Sequence, residues 1–228
     1  MIQRKKIILM AALGGAVIGA VASVLASHGL AEIDAFGADK ALTAHYQYMA
    51  AMIGWVLFSI YWEIAAKSAA AAKSSESSGS RGVHVLLTNV ALLLEIAPIR
   101  GLGRFMAVAP LIMTAGLAVE ALGLLLAIWA RRHLGRNWSG EITIKEDHQL
   151  IRSGPYKWLR HPIYTGLLTM YVGTAIVTGE WLALIGLMIA AFAYWRKIRL
   201  EEASLNVAFG TEYDAYRRGT WALVPGLF

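Results

Sequence analysis

The segment 150-LIRSGPYKWLRHPIY-164 is a polar, turn-rich block that lies between long apolar runs. Ser153-Gly154-Pro155 is a turn signal, and Pro162 is a favourable first residue for a helix. One apolar hairpin later, the run 196-RKIRLEE-202 combines cations with paired carboxylates. Because both segments flank the same hairpin, the sequence predicts that they are neighbours in space and form an active site at a membrane edge.

The composition is that of a membrane protein. Of the 228 residues, 57% are hydrophobic and 16% are charged, whereas about 25% of residues are charged in a typical soluble domain. Apolar runs close to the ~20 residues that cross a bilayer recur along the chain. We therefore predict an all-α fold, a polytopic integral membrane helical bundle. The chain contains no cysteine, which excludes disulfides and a cysteine nucleophile, and its histidines lack metal-site spacing, so no metal is expected.

About six transmembrane spans are predicted. The first is interpreted as a retained span, because its apolar run is longer than a signal-peptide core. Residues 67–81, rich in Ala and Ser, are predicted to form a flexible linker. A polar, amphipathic helix is predicted over residues 201–218. The predicted spans cover residues 7–26, 45–66, 83–99, 104–130 with Pro110 inside, 162–178 and 181–197.

The basic residues predict an orientation. The formal net charge is +6, and most Lys and Arg residues lie in short segments at the ends of apolar runs. This pattern indicates a positive-inside topology rather than nucleic-acid binding. It predicts that both termini and the active site are cytoplasmic. Arg100 and Arg104 would lie on the opposite side, so a re-entrant pair of spans three and four is an alternative. Residues 1–130 are predicted to form a transmembrane scaffold with acceptor-side helices, and residues 131–228 a catalytic unit.

Residues 132–164 and 201–225 resemble the isoprenylcysteine carboxyl methyltransferase family, which is related to phospholipid N-methyltransferases. The resemblance rests on 148-HQLIRSGPY-156, 160-RHPIYTG-166, Glu201-Glu202 and 209-FGTEYDAY-216. Each motif alone is weak, but the combination is specific. The resemblance implies S-adenosyl-L-methionine as the methyl donor, bound on the cytoplasmic side.

The resemblance also implies which residues line the cofactor. A sulfonium cofactor that carries an ammonium and a carboxylate needs an acidic group for the amine and an aromatic or apolar wall for adenine. Glu201 suits the amine, His161 suits the carboxylate, and Tyr156 and Tyr164 hold the remainder. The full predicted cofactor set is His148, Gln149, Leu150, Ile151, Gly154, Tyr156, Arg160, His161, Pro162, Ile163, Tyr164, Glu201 and Glu202.

A basic residue just before the glutamate pair faces the acceptor in the family. Lys197 is nearest to that position, and Arg196 and Arg199 compete for the role. The family usually has Arg where this chain has Lys, and its eukaryotic members tend to have Gln near the position of Glu141. Both departures from the family pattern count against a prenylated protein as the acceptor. The structural alternative for the three basic residues is that they anchor the helix at the membrane surface.

The preferred reaction is methylation of a carboxylate on a lipophilic acceptor. A carboxylate with a reference pKa near 4 is already ionised at neutral pH, so it needs no general base. Methylation of a lipid amine is the alternative reaction, and it would need Glu201, Glu202 or His161 as a base. A non-catalytic membrane scaffold or carrier is the alternative of another class.

Other polar residues have structural interpretations. His161 precedes a proline and could cap the fifth span through its ring. Glu63, Glu95 and Glu120 lie in or near apolar spans, where ionisable groups are costly. Glu120 is the most central of them, and we predict that it pairs with a buried cation or hydroxyl for packing.

Overall fold

The computed structural model describes residues 38–66, 77–96, 102–106, 109–138 and 149–226. Within these residues the regular secondary structure is helical, and strand pairing is limited to isolated bridges. Short 3₁₀ turns lie at Gly135–Asn137 and Gly154–Lys157. The helices are α1 (Ala38–Ala66), α2 (Ser78–Ile96), α3 (Pro110–Leu134), α4 (Pro162–Thr178), α5 (Trp181–Phe209) and α6 (Thr211–Arg218).

Three of the described helices, α1, α3 and α5, are long and apolar enough to cross a membrane, and α4 is a shorter apolar helix. Large apolar side chains on their outer faces are exposed, as expected where lipid rather than water surrounds a bundle. The predicted all-α membrane class is confirmed, whereas the count of six spans stays a prediction. The first predicted span lies outside the described residues. Examples of the exposed side chains are Leu57, Ile64, Leu111, Leu122, Leu125, Met188 and Phe192.

The most extensive contact among the described helices is between α3 and α4. Gly123 on α3 and Gly166 on α4 face each other without side chains. A Cβ on Gly166 would lie 2.6 Å from the Gly123 carbonyl oxygen, and a Cβ on Gly173 would lie 2.5 Å from the Glu120 backbone nitrogen. Small residues at such positions let helix backbones approach in lipid. This glycine seam fixes α4, whose first turn carries site residues.

The end of the bundle opposite the predicted site is closed by two backbone segments. Gly179 follows α4 with φ of 64°, a left-handed conformation that glycine adopts without strain. Its carbonyl oxygen accepts a hydrogen bond from the Phe105 N–H at 2.8 Å, and the Trp181 N–H donates to the Gly103 carbonyl at 3.3 Å. The predicted tight hairpin between α4 and α5 is therefore confirmed and is tied to residues 102–106.

Several predicted boundaries are wrong. The span predicted over residues 104–130 begins only at Pro110, because a proline lacks the N–H that a helix interior needs but is suited to the first turn. Residues 78–81, assigned to the linker, form the first turn of α2. The separate helix predicted over residues 201–218 is confined to α6, Thr211–Arg218. Helix α5 continues without a break to Phe209, and the chain turns at Gly210, whose φ is 52°.

Two glutamates are buried inside the bundle, away from the predicted active site. Glu95 on α2 is 1% exposed, and neither of its carboxylate oxygens has a hydrogen-bond partner among the described residues. Glu120 on α3 accepts a hydrogen bond from the Thr174 hydroxyl at 3.3 Å. The Trp55 indole N–H donates to the same hydroxyl at 2.9 Å. The prediction that Glu120 pairs with a buried hydroxyl is confirmed.

Candidate active site

The start of α4 directs the His161 ring into the candidate site. His161 is the N-cap residue, with φ of −126° and ψ of 56°, and Pro162 is the first helical residue. The backbone carbonyl of His161 accepts the Thr165 N–H at 3.0 Å. The side chain makes no capping hydrogen bond, so the capping interpretation of His161 is wrong. Its imidazole instead lies near Glu201 and Glu202, which belong to the continuous helix α5.

Glu201 is held by two side chains from the first turn of α4. The Tyr164 hydroxyl donates to Glu201 Oε1 at 2.5 Å, and His161 Nδ1 lies 3.5 Å from Glu201 Oε2. The predicted meeting of the two sequence motifs is confirmed by these contacts. The Glu201 side chain is 20% exposed. A carboxylate has about four acceptor positions, so Glu201 can still accept hydrogen bonds from a ligand.

Glu202 forms a second pair beside the first. His161 Nε2 lies 3.3 Å from Glu202 Oε1, so the two nitrogens of one imidazole face two successive glutamates. The same Oε1 accepts a 2.7 Å hydrogen bond from Arg160 Nε. Arg217 approaches the other carboxylate oxygen at 3.9 Å. The Glu202 carboxylate is therefore paired with basic side chains of the protein rather than hydrated.

The charge state of His161 follows from these neighbours. Burial alone lowers the pKa of an imidazole, but the hydrogen bonds and charges of Glu201 and Glu202 outweigh it and raise the pKa of His161 above its ordinary value. A protonated ring donates from both nitrogens. When it is protonated, the His161 ring links the two carboxylates and offsets part of their mutual repulsion.

Aromatic rings form one wall of the site. The His161 and Tyr164 rings are stacked, with centroids 5.6 Å apart and an interplanar angle of 9°, and Tyr194 on α5 lies 5.1 Å from Tyr164. Tyr156 is buried, and burial followed by the charge of Glu201 raises the pKa of its hydroxyl. Tyr156 thus stays neutral and able to donate. This wall is of the kind that accepts a flat or apolar ligand group.

The three basic candidates of α5 point to different surroundings. Lys197 lies one turn before Glu201, is 3% exposed, and is near enough for its charge to act on that glutamate. Arg196 donates hydrogen bonds to the carbonyl and the hydroxyl of Ser80 on α2, at 3.3 and 2.5 Å. Arg199 is exposed. Only Lys197 shares the helix face of Glu201, so Arg196 and Arg199 are not brought to the site.

The remaining candidates divide into three groups. Tyr156, together with Gly154, belongs to a 3₁₀ turn beside the site; Gly154 has φ of 59°, and an added Cβ would meet the His133 ring at 2.7 Å. Pro162 and Ile163 are buried within the bundle, and Ile163 packs in the same apolar cluster as Tyr156. Among residues before the turn, Gln149 is exposed, Leu150 and Ile151 are partly buried, and His148 lies outside the described residues.

Sequence reasoning missed Tyr194 and the C-terminal tail. Tyr194 lies seven residues before Glu201, and Lys197 lies four before it, so all three project from one face of α5. That spacing could have found Tyr194. The tail has no comparable signal: the Arg160 N–H donates to the Trp221 carbonyl at 2.8 Å, and the His161 N–H donates to the Ala222 carbonyl at 3.1 Å. Such backbone pairing depends on tertiary contact.

Comparison with known proteins agrees with the resemblance. Residues 115–207 match the model of the isoprenylcysteine carboxyl methyltransferase family. Proteins named protein-S-isoprenylcysteine O-methyltransferase are similar to parts of the chain: one from Dictyostelium discoideum is 31% identical over 84 residues, one from Schizosaccharomyces pombe 29% over 115, and one from Xenopus laevis 35% over 74. The predicted resemblance is confirmed over the matched region, which includes both motifs of the site but ends before residues 209–216.

The similarity is partial in length. These matches cover 36%, 49% and 32% of this chain, and the chain spans only 35%, 49% and 26% of the respective relatives. A solved structure of the eukaryotic intramembrane Ras methyltransferase, an isoprenylcysteine carboxyl methyltransferase, matches with a TM-score of 0.50 and 20% sequence identity. That match covers 96% of this chain and 75% of the other. At this identity the likeness shows a shared fold.

Proposed function

We propose that this chain, whose residues 115–207 match the isoprenylcysteine carboxyl methyltransferase family, is an S-adenosylmethionine-dependent integral membrane O-methyltransferase. Its acceptor is the carboxylate of a lipophilic molecule, with a prenylated cysteine as the first candidate. The observation that carries the proposal is the contact between the two family motifs: Tyr164 and His161 from one hold Glu201 of the other.

The residues of the site fit the proposed cofactor. Glu201 would bind its ammonium group, because the carboxylate keeps free acceptor positions next to its bonds with Tyr164 and His161. Both ring nitrogens of His161 face Glu201 and Glu202, so His161 would hold Glu201 in place rather than bind the cofactor carboxylate. The stacked rings of the site would pack against apolar or aromatic portions of the ligand. When bound, S-adenosylmethionine supplies an activated methyl group.

Lys197 is proposed to hold the acceptor. It is buried on the Glu201 face of α5, where an ammonium can attract a carboxylate from the membrane side. An acceptor carboxylate needs no deprotonation at neutral pH, so the residues of the chain have to align the reactants and exclude water. Such alignment can lower a barrier by up to about 7–11 kcal/mol. The acceptor carboxylate oxygen would form a bond to the methyl carbon as the bond from that carbon to the sulfonium sulfur breaks, which leaves a neutral thioether and needs no proton transfer.

Amine methylation is the weaker alternative, because it requires a base at the site. Both nitrogens of His161 face carboxylates, and Glu202 already accepts a hydrogen bond from Arg160. Glu201 has the role of cofactor ligand in our proposal. No group of this cluster is therefore assigned to take a proton from an ammonium group. The orientation of the site is proposed to be cytoplasmic, in accord with the positive-inside distribution of Lys and Arg.

The deciding experiment is calorimetric titration of detergent-purified protein with S-adenosylmethionine. We expect binding by the parent and at least about 100-fold weaker binding by Glu201→Gln, because the ammonium loses its charged partner. Glu212→Gln is the matched control, since Glu212 is an exposed glutamate that pairs with Arg152 away from this cluster. Absence of binding by a folded parent would contradict the proposal.

The acceptor class is tested by offering a prenylated cysteine and a phospholipid with an ethanolamine headgroup together with methyl-labelled cofactor. A methyl ester releases labelled methanol in alkali, whereas an N-methyl group does not. We expect alkali-labile product from the prenylated cysteine, and Lys197→Ala should raise its apparent KM by about 10-fold or more. Alkali-stable product from the phospholipid would instead support the amine reaction.

A further inference from the structure

We infer that Arg160 is a positioning residue that couples the C-terminal tail, residues 220–223, to the cofactor site, and that it does not itself touch the cofactor. This inference rests on the proposed function for its effect on ligand binding. Arg160 bonds both the tail and Glu202, and Glu202 in turn lies next to the His161 ring.

The guanidinium of Arg160 is committed to protein partners. Its Nε donates to Glu202 at 2.7 Å, and its Nη1 donates to the Arg217 carbonyl at 3.1 Å and also to the Thr220 carbonyl. The Arg160 side chain is 10% exposed. A planar guanidinium can satisfy a carboxylate and carbonyls at once, which a single ammonium cannot. Arg160 therefore joins α5 to the end of α6 and to the tail.

The tail is fixed along the segment that leads into α4. The Trp221 N–H donates to the Trp158 carbonyl at 3.0 Å, and the carbonyls of Trp221 and Ala222 accept the N–H groups of Arg160 and His161. Ala222 is completely buried. The Thr165 hydroxyl donates to the Leu223 carbonyl at 2.8 Å. These bonds hold the backbone of His161 while Glu202 holds its ring, so the ring is constrained from both sides.

The chain offers a matched control in Arg217. Its side chain is also near Glu202, at 3.9 Å, but it is 55% exposed, and only its backbone carbonyl accepts a bond from Arg160. An Arg217→Ala substitution removes a cation of the same type from the same glutamate and leaves the tail bonds intact. Arg217 is farther from Glu202 and more exposed, so Arg217→Ala controls for loss of a cation near this glutamate, whereas Arg160→Lys tests the charge at the position of Arg160 itself.

The first test is amide hydrogen exchange of Trp221 and His161, whose N–H groups bond across the contact between the tail and residues 158–161, in the protein without ligand. We expect Arg160→Ala to lower the protection of these amides at least about 10-fold, with Arg217→Ala within about 2-fold of the parent. Arg160→Lys should restore the charge next to Glu202 but leave the tail amides poorly protected. Parent-like protection in Arg160→Ala would overturn the inference, whether or not the chain proves to be a methyltransferase.

The second test is a double-mutant cycle on S-adenosylmethionine affinity. Arg160→Ala should weaken binding about 10-fold in the parent background but less than about 2-fold in a Glu202→Gln background, because its effect passes through Glu202. Arg160→Lys should recover part of the affinity. An equal loss in both backgrounds would indicate direct contact with the cofactor and overturn the inference. A parent that binds no cofactor would refute the proposed function, and the exchange experiment would then decide the positioning role alone.

Discussion

Two regions hold helix α4 by opposite means. One is the glycine seam with α3, and the other is the polar cluster around Glu201 and Glu202 of α5. In the seam, backbones touch because Gly123 and Gly166 lack side chains. In the cluster, charged and aromatic side chains of α4 and α5 reach across to one another. A seam of this type excludes any added atom, whereas a hydrogen-bonded cluster tolerates small losses and can bind a ligand.

This difference explains why the polar cluster, and not the glycine seam, is suited to bind a ligand. Lipid-facing helices gain no hydrophobic driving force from packing on one another, so close approach and dispersion fix their positions. At the polar end, buried charges are costly unless they are paired, and the burial of Glu201 and Glu202 is offset by partners such as His161 and Arg160. The rigid seam thus positions α4, and the polar cluster tolerates small changes and can bind a ligand.

The largest expected effect comes from the seam. Gly166→Ala adds a Cβ 2.6 Å from the Gly123 carbonyl and 2.7 Å from the Ala127 nitrogen, and neither backbone atom can move easily. We expect the free energy of unfolding to fall by about 3 kcal/mol, measured by denaturant unfolding in detergent. Gly82→Ala on α2 is the control, since nothing lies within 4 Å of its added Cβ. Equal stability of the two variants would refute the role of the seam.

A single hydroxyl in the cluster is expected to matter less. Tyr164→Phe removes the hydrogen bond to Glu201 but keeps the ring that stacks on His161. Loss of a bond to a charged group should weaken S-adenosylmethionine binding about 10-fold, or about 1.4 kcal/mol. Calorimetric titration measures it, with Tyr46→Phe on the exposed face of α1 as the control. Unchanged affinity would remove Tyr164 from the site.

The buried Glu95 predicts a gain in stability. Its carboxylate has no hydrogen-bond partner among the described residues, so the folded state carries the cost of removing this group from water. Glu95→Met, which replaces it with an apolar side chain of similar size, should raise the free energy of unfolding by about 1 kcal/mol. The same substitution at Glu63, which is exposed, is the control. A loss of stability on Glu95→Met would indicate that the carboxylate has a partner.

The smallest effect concerns pH. The folded protein raises the pKa of His161 above its ordinary value of about 6.5, so proton binding by this ring stabilises the fold at low pH. That contribution is lost as the pH rises through the raised pKa. We expect the difference in unfolding temperature between the parent and His161→Gln to shrink as the pH rises above about 6.5, the ordinary pKa of an imidazole. A constant difference would mean that the ring does not titrate in this range.

Prediction from sequence succeeded where a local pattern carries the information. The bounds of the fifth predicted span match α4, from Pro162 to Thr178, because a proline and a glycine mark its ends. The pairing of the α4 and α5 motifs followed from the short hairpin between them. Predicted boundaries were wrong where the change from apolar to polar residues does not coincide with a helix end. The helix α5, for example, continues past its charged segment to Phe209.

The sequence by itself determined a helical membrane protein, a polar site at one end of a helical hairpin, and the resemblance that names a reaction class. These follow from composition, turn residues and motifs, which act locally. Only the tertiary structure decided that the helix face of Lys197 and Glu201 is buried against the first turn of α4, that Arg160 and Glu202 contact each other, and that the tail packs along His161. The Arg160–Glu202 contact and the tail bonds to Arg160 and His161 join residues that lie 42 to 61 positions apart, and only packing in three dimensions brings such residues together.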